Sequence, residues 1–134
     1  MSEPFIGEIR MVGFTYAPEG WADCDGRLLQ IAQYQALYAL LGTTYGGDGR
    51  TTFGLPDLRG RVPINVGQGP GLTPRTQGQM GGQETVPLQQ VTVATSGRDT
   101  ATVYVGTGAS QPDMQPFLCV RFIIALEGYF PPRP

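Results

Sequence analysis

Short runs rich in apolar and β-branched residues occur at both ends of the chain and predict β-strands. The first run, residues 5–14 (FIGEIRMVGF), predicts an opening strand. The last run, residues 117–126 (FLCVRFIIAL), is the most hydrophobic stretch and predicts a central strand buried on both faces. It is too short to cross a bilayer. Two β-branched runs, residues 91–95 and 100–105, flank a turn at residues 96–99 and predict a β-hairpin.

Helical spacing of apolar residues occurs at residues 33–41, with Gly42 placed as the C-terminal cap. Twenty glycines and twelve prolines are spread along the chain, which predicts frequent turns and excludes a long helical bundle. We therefore expect a mainly β fold with one short α-helix, of the α+β class. The length of 134 residues favours a single domain, residues 1–134, with the hairpin as an insertion at about residues 89–113.

Composition narrows the function classes. The net charge of −2 disfavours nucleic acid and anionic membranes as partners. Histidine is absent, which removes the commonest general base and transition-metal ligand, so we predict no enzyme, no cofactor and no metal site. Charged residues make up only 15% of the chain, as expected of a subunit that buries its faces against neighbours. The N-terminus lacks a basic start and an apolar run, so we expect no signal peptide.

Three groups of residues have competing interpretations. Asp57, Arg59 and Arg61 lie between two prolines. A carboxylate fixed by arginine is a poor general acid, so these residues predict a structural clamp of paired charges instead. Cys24 and Cys119 are interpreted as two buried free thiols, with one disulfide as the alternative. Trp21 could stack on a sugar, although packing in a core or interface is favoured.

Several long strings together resemble the phage tail collar family, which includes the small microcystin-dependent proteins. They are residues 5–31 (FIGEIRMVGFTYAPEGWADCDGRLLQI), residues 36–71 (ALYALLGTTYGGDGRTTFGLPDLRGRVPINVGQGPG), residues 78–88 (GQMGGQETVPL) and residues 114–133 (MQPFLCVRFIIALEGYFPPR). The resemblance implies a small collar fold intertwined with neighbouring subunits, trimers in particular, in a virion tail or an extracellular tail-like assembly. Many relatives carry histidines after the GGxETV segment. This chain has none, so their metal-bearing tip is not carried over.

The resemblance implies a structural, self-assembling component of a tail-like fibre or collar, with an adhesive or receptor-binding role open. The main partner is then the chain itself. The alternatives are a homopolymeric extracellular filament and a carbohydrate-binding module that recognises a cell-surface glycan. Membrane insertion is not expected. The candidate interface residues are Trp21, Asp57, Arg59, Arg61, Val103, Tyr104 and Arg121.

Overall fold

A computed structural model of the chain describes residues 3–87, 90–94, 100–104, 110–112 and 114–134. The strands are β1 Ile9–Val12, β2 Trp21–Asp23, β3 Leu28–Gln30, β4 Thr52–Gly54, β5 Thr85–Pro87, β6 Gln90–Ala94, β7 Thr100–Tyr104, β8 Ser110–Pro112 and β9 Arg121–Ala125, and the helix is α1 Gln35–Leu41. All the pairings between these strands are antiparallel. The expected mainly β, α+β class is therefore confirmed.

Two compact units make up the chain. The first comprises Met1–Gln79 and Cys119–Pro134, and the second comprises Met80–Leu118. The single-domain organisation with an insertion at residues 89–113 stays a prediction.

A three-stranded sheet of order β1-β9-β2 organises the first unit. Strand β9 is central, as its hydrophobicity predicted, and Ile123 and Ile124 are fully buried. The prediction that residues 117–126 are buried on both faces is wrong for the first part of this run. Phe117, Leu118 and Val120 precede β9 and are exposed, because the pairing with β1 and β2 begins at Arg121 and Ile123.

The helix α1 closes the core of the first unit with one fully buried side chain, Leu37. It packs into a cluster that also contains Ile6, Ala22, Cys24, Phe53, Leu55 and Ile124. The helix ends where the sequence predicted, at Gly42, whose backbone N–H donates to the Tyr38 carbonyl at 2.8 Å. The φ angle of Gly42 is 56°, a left-handed value that favours glycine.

The second unit contains two strand pairs, β5 with β8 and β6 with β7. The β6–β7 pair confirms the strands of the predicted hairpin, with Val91 opposite Val103 and Gln90 opposite Tyr104. The turn predicted at residues 96–99 lies outside the described residues. Over the described ranges, the structure contains no helix with the length and apolar character needed to cross a membrane.

Candidate assembly surface

Asp57 is held by the arginine two residues after it. The Nε and Nη2 atoms of Arg59 each donate to the Asp57 carboxylate at 2.9 Å, and the Arg59 backbone N–H donates at 3.1 Å. Arg61 adds a fourth contact, with Nη1 at 3.6 Å from the carboxylate. The hydrogen bonds from Arg59, followed by the charges of Arg59 and Arg61, lower the pKa of Asp57 to about 2. The predicted clamp is therefore confirmed, and its role in an interface stays a prediction.

A second clamp of the same geometry involves Asp25 and Arg27. The Arg27 Nε and Nη2 atoms donate to Asp25 at 2.9 and 2.8 Å, and the Arg27 backbone N–H donates at 3.2 Å. The side-chain hydrogen bond from Arg27 lowers the pKa of Asp25. Sequence reasoning missed Arg27, although the Asp-x-Arg spacing at residues 25–27 repeats that at residues 57–59.

Arg121 joins strand β9 to strand β2 through Asp23. Its Nη1 atom donates to the Asp23 carboxylate at 2.7 Å. A longer ion pair of 3.8 Å connects Asp23 to Arg27, so one carboxylate faces two arginines. The Arg121 Nε atom is buried without a hydrogen-bond partner among the described residues. Arg121 is thus anchored within its own chain, and its interface role stays a prediction.

Large apolar side chains on the surface outnumber those in the core of the first unit. Among the described residues of this unit thirteen are exposed, namely Phe5, Ile9, Met11, Phe14, Tyr16, Leu28, Val62, Ile64, Val66, Leu72, Val120, Tyr129 and Phe130, against six large buried ones, Ile6, Leu37, Phe53, Leu55, Ile123 and Ile124. Sequence reasoning did not select Val62, Ile64 and Val66 as site residues. The alternation of apolar residues in RVPINV was the available signal.

Comparison with known proteins relates the N-terminal segment of the first unit to a protein family. Residues 7–63 match the family model of the phage tail collar domain. This segment, 57 of the 134 residues, is therefore similar to the phage tail collar domain. The resemblance predicted from the sequence is confirmed, and the collar domain indicates a structural role of the tail-fibre type.

Protein RhiB of Rhizobium leguminosarum bv. viciae is a curated relative, 42% identical over 59 residues. The alignment covers 42% of this chain and 27% of RhiB. The chain therefore matches roughly a quarter of that protein's length.

The two cysteines are free thiols in different environments. Both line a cleft of about 490 Å³ in the first unit, together with Asp23, Arg59 and Arg121. Cys24 is buried, and this burial, followed by the charges of Asp23 and Asp25, raises its pKa to about 12. Cys119 is exposed. The prediction of two buried thiols therefore holds for Cys24 and is wrong for Cys119, which precedes the paired part of β9.

Cys24 is poorly suited to act as a nucleophile in this cleft. A thiol with a raised pKa is protonated at neutral pH and reacts slowly. Asp25 also lines the cleft, and the hydrogen bond from Arg27 lowers its pKa, which makes this carboxylate a weak general acid. Among the described residues, no group of three or more cysteine, aspartate or glutamate side chains is placed to hold a metal ion. The arrangement suits structural pairing of charges better than catalysis.

The Trp21 indole lies beneath an arginine. The Arg10 guanidinium carbon is 5.1 Å from the ring centroid, a cation–π distance. Glu8 forms an ion pair with Arg10 and so helps to hold it in place. One ring face is therefore covered by the chain's own arginine. The carbohydrate hypothesis for Trp21 stays a prediction, as do the interface roles of Val103 and Tyr104 on strand β7.

Proposed function

We propose that this chain is a self-associating structural subunit of a phage tail-like fibre or collar. The collar domain supports the fibre or collar context. The observation that carries self-association is the excess of exposed over buried large apolar side chains in the first unit. Single exposed apolar residues are ordinary, whereas many on one small unit are typical of surfaces that become covered.

The hydrophobic effect favours association between copies of the chain. Each square ångström of apolar surface removed from water contributes roughly 25 cal/mol. Aromatic rings contribute most, and the exposed pair Phe14 and Tyr16 already lies with ring centroids 5.3 Å apart. The low share of charged residues, 15%, reduces the cost of removing such a surface from water.

The arginines support the same proposal. A guanidinium held by a carboxylate is already ordered, so less side-chain entropy is lost when a neighbouring subunit packs on it. Arg59 and Arg61 on Asp57, and Arg121 on Asp23, meet this description. We propose that these side chains, with Trp21, Val103 and Tyr104, contribute to contacts between copies.

A closed trimer is the assembly that the collar resemblance favours. A homopolymeric filament is the second candidate, because the sheet leaves two outer strands, β1 and β2, each paired on one side only within the described residues. A contact between two different surfaces closes into a ring or continues as a filament, depending on the rotation between neighbouring subunits.

Light scattering on the purified chain, combined with negative-stain electron microscopy, tests the proposal. A uniform mass of three chains supports the closed trimer, and fibres support the filament. A mass of one chain at every concentration up to the millimolar range contradicts self-association.

A further inference from the structure

A long segment of the first unit lies almost wholly on the surface. From residue 59 to residue 79 every residue is exposed except Gly69 and Gly78, which are partly buried. The segment contains an isolated β-bridge between Gly67 and Arg75, with hydrogen bonds of 2.8 and 2.9 Å, and two turn hydrogen bonds, at residues 69–72 and 76–79. A stretch of this length without a helix or a strand is uncommon in a compact domain and is usually functional.

Residues 62–66 (VPINV) have the pattern of a strand that lacks a partner. Val62, Ile64 and Val66 alternate with Pro63 and Asn65, and their exposed fractions are 62%, 67% and 48%. An alternating pattern places all three on one side of an extended chain. The residue before a proline is biased towards extended backbone, which applies to Val62.

The backbone of this stretch is also unpaired. Within the part of the chain that the structure describes, the N–H groups of Val62, Ile64, Asn65 and Val66 donate no hydrogen bond to another residue. Pro63 has no N–H, and proline within a strand is confined to edges, where one side of the backbone needs no partner. The stretch is therefore suited to add to the edge of a sheet.

A suitable edge is present on the same unit. Strand β1 pairs with β9 on one side only. Its residues Ile9 and Met11 lie opposite Ile124 and Phe122 and share their face of the sheet. Ile124 is fully buried, whereas Ile9 and Met11 are 42% and 68% exposed. A strand added beside β1 would cover these two side chains.

We propose that residues 62–66 of one chain add as a strand to the β1 edge of a second copy. Val62, Ile64 and Val66 then cover Ile9 and Met11 of the neighbour. This inference rests on the proposed self-association and specifies its contact surface. The two surfaces differ, so the contact is head-to-tail and is compatible with a ring or a filament.

The size and the charge of the exposed segment favour a second copy of the chain as the partner at the β1 edge. The exposed segment, residues 59–79, has 21 residues, and a standard interface uses roughly 20 to 30 residues on each side. Residues 59–79 contain three arginines and no acidic residue. The remainder of the first unit has eight acidic residues and five arginines. The segment and the body of the unit therefore carry opposite net charge, which attracts one copy to another.

Hydrogen exchange on the wild-type chain tests the contact directly. At a concentration where the chain is assembled, the amides of residues 62–66 should exchange at least about tenfold more slowly than in chains dissociated by dilution. The β1 amides should show the same change. Unchanged exchange at residues 62–66 in an assembled sample overturns the inference and leaves the proposed function intact.

Neighbouring substitutions give a matched pair of variants. Ile64→Glu should weaken association about tenfold or more, because a buried apolar contact is replaced by a charge. Asn65→Glu introduces the same charge at the adjacent position, on the opposite side of the added strand, and should weaken association far less. Met11→Glu should reproduce the loss seen with Ile64→Glu. All three positions are exposed, so far-ultraviolet circular dichroism should be unchanged.

The possible outcomes separate the two proposals. Equal losses in Ile64→Glu and Asn65→Glu, or wild-type association in Ile64→Glu, overturn the contact while self-association stands. Loss in Ile64→Glu without loss in Met11→Glu overturns β1 as the receiving edge. A wild-type chain that stays monomeric contradicts the proposed function itself, and the contact with it.

Discussion

Asp25 and Asp57 lie opposite each other in an isolated antiparallel bridge, and each carboxylate is held by the arginine two residues later. Gly26 allows the backbone of its segment to lie this close to Asp57. A Cβ atom on Gly26 would lie 3.1 Å from the side chain of Asp57, and the φ angle of Gly26 is 77°. Two acidic side chains can approach in this way because each has its own guanidinium. The two segments are thus joined by backbone pairing and by a local balance of charge.

The Asp57 clamp predicts a specific response to acid. Because the folded-state pKa of Asp57 is lowered from 3.8 to about 2, the clamp contributes stability above pH 4. That contribution is lost as the pH falls from about 4 to about 2. Asp57→Asn should lower the thermal midpoint at pH 7 and reduce the loss of stability between pH 4 and pH 2. Thermal melts across this range, followed by circular dichroism, measure both effects.

Glu19→Gln is the matched control for this experiment. Glu19 is exposed and forms no ion pair with another described residue. Its removal should leave the acid response of the wild type unchanged. A variant Asp57→Asn with the full wild-type slope between pH 4 and pH 2 would show that the clamp does not stabilise the fold.

Gly54 tests the close packing of strand β4 against the loop before it. A Cβ atom at this position would overlap the carbonyl group of Tyr45, and Gly54 itself is buried. Backbone atoms cannot move aside as a flexible side chain can. Gly54→Ala should therefore destabilise the fold by about 1–3 kcal/mol. Urea unfolding at neutral pH measures this change.

Gly13→Ala provides the comparison. An added Cβ at Gly13 meets no atom within 4 Å, and its φ angle lies outside the left-handed region. The same substitution there should change the free energy of unfolding by less than about 0.5 kcal/mol. Equal losses of stability at both positions would contradict the steric overlap at Gly54, because reduced flexibility of the unfolded chain makes this substitution stabilising.

Leu37 tests whether the single described helix is fixed by its core contact. Its side chain is 1% exposed, whereas Leu28 on β3 is 58% exposed. Leu37→Ala should lower the free energy of unfolding by about 2–5 kcal/mol, because the cavity left in the core fills only partly. Leu28→Ala removes the same atoms from a surface site and should cost far less. Similar losses in urea titrations of the two variants would contradict the assigned core.

Local signals in the sequence predicted some features well. The glycine at residue 42 located the helix end, because a left-handed terminus favours that residue. The spacing of Asp57 and Arg59 predicted their ion pair, because residues two apart on an extended turn can reach each other. The apolar run of β9 predicted its central position, because a strand paired on both sides is shielded from water.

Other features depend on tertiary contacts and were not predicted. The sequence does not show that Asp25 faces Asp57, because 31 residues separate them. Cys119 lies in an apolar run that suggested burial, yet strand pairing begins only at Arg121, so the thiol is exposed. The sequence also does not predict that Val62, Ile64 and Val66 are exposed, because alternating apolar residues ordinarily form the inner face of a strand.

The two thiols should differ sharply in reactivity. Cys24 is buried, with a pKa raised to about 12, so almost none of it is thiolate at pH 8. Cys119 is exposed. Iodoacetamide at pH 8 should therefore modify one thiol per native chain and two per chain in guanidinium, as counted by intact mass. Cys119→Ser should abolish the native modification, and Cys24→Ser should leave it unchanged. Modification of both thiols in the native chain would contradict the burial of Cys24.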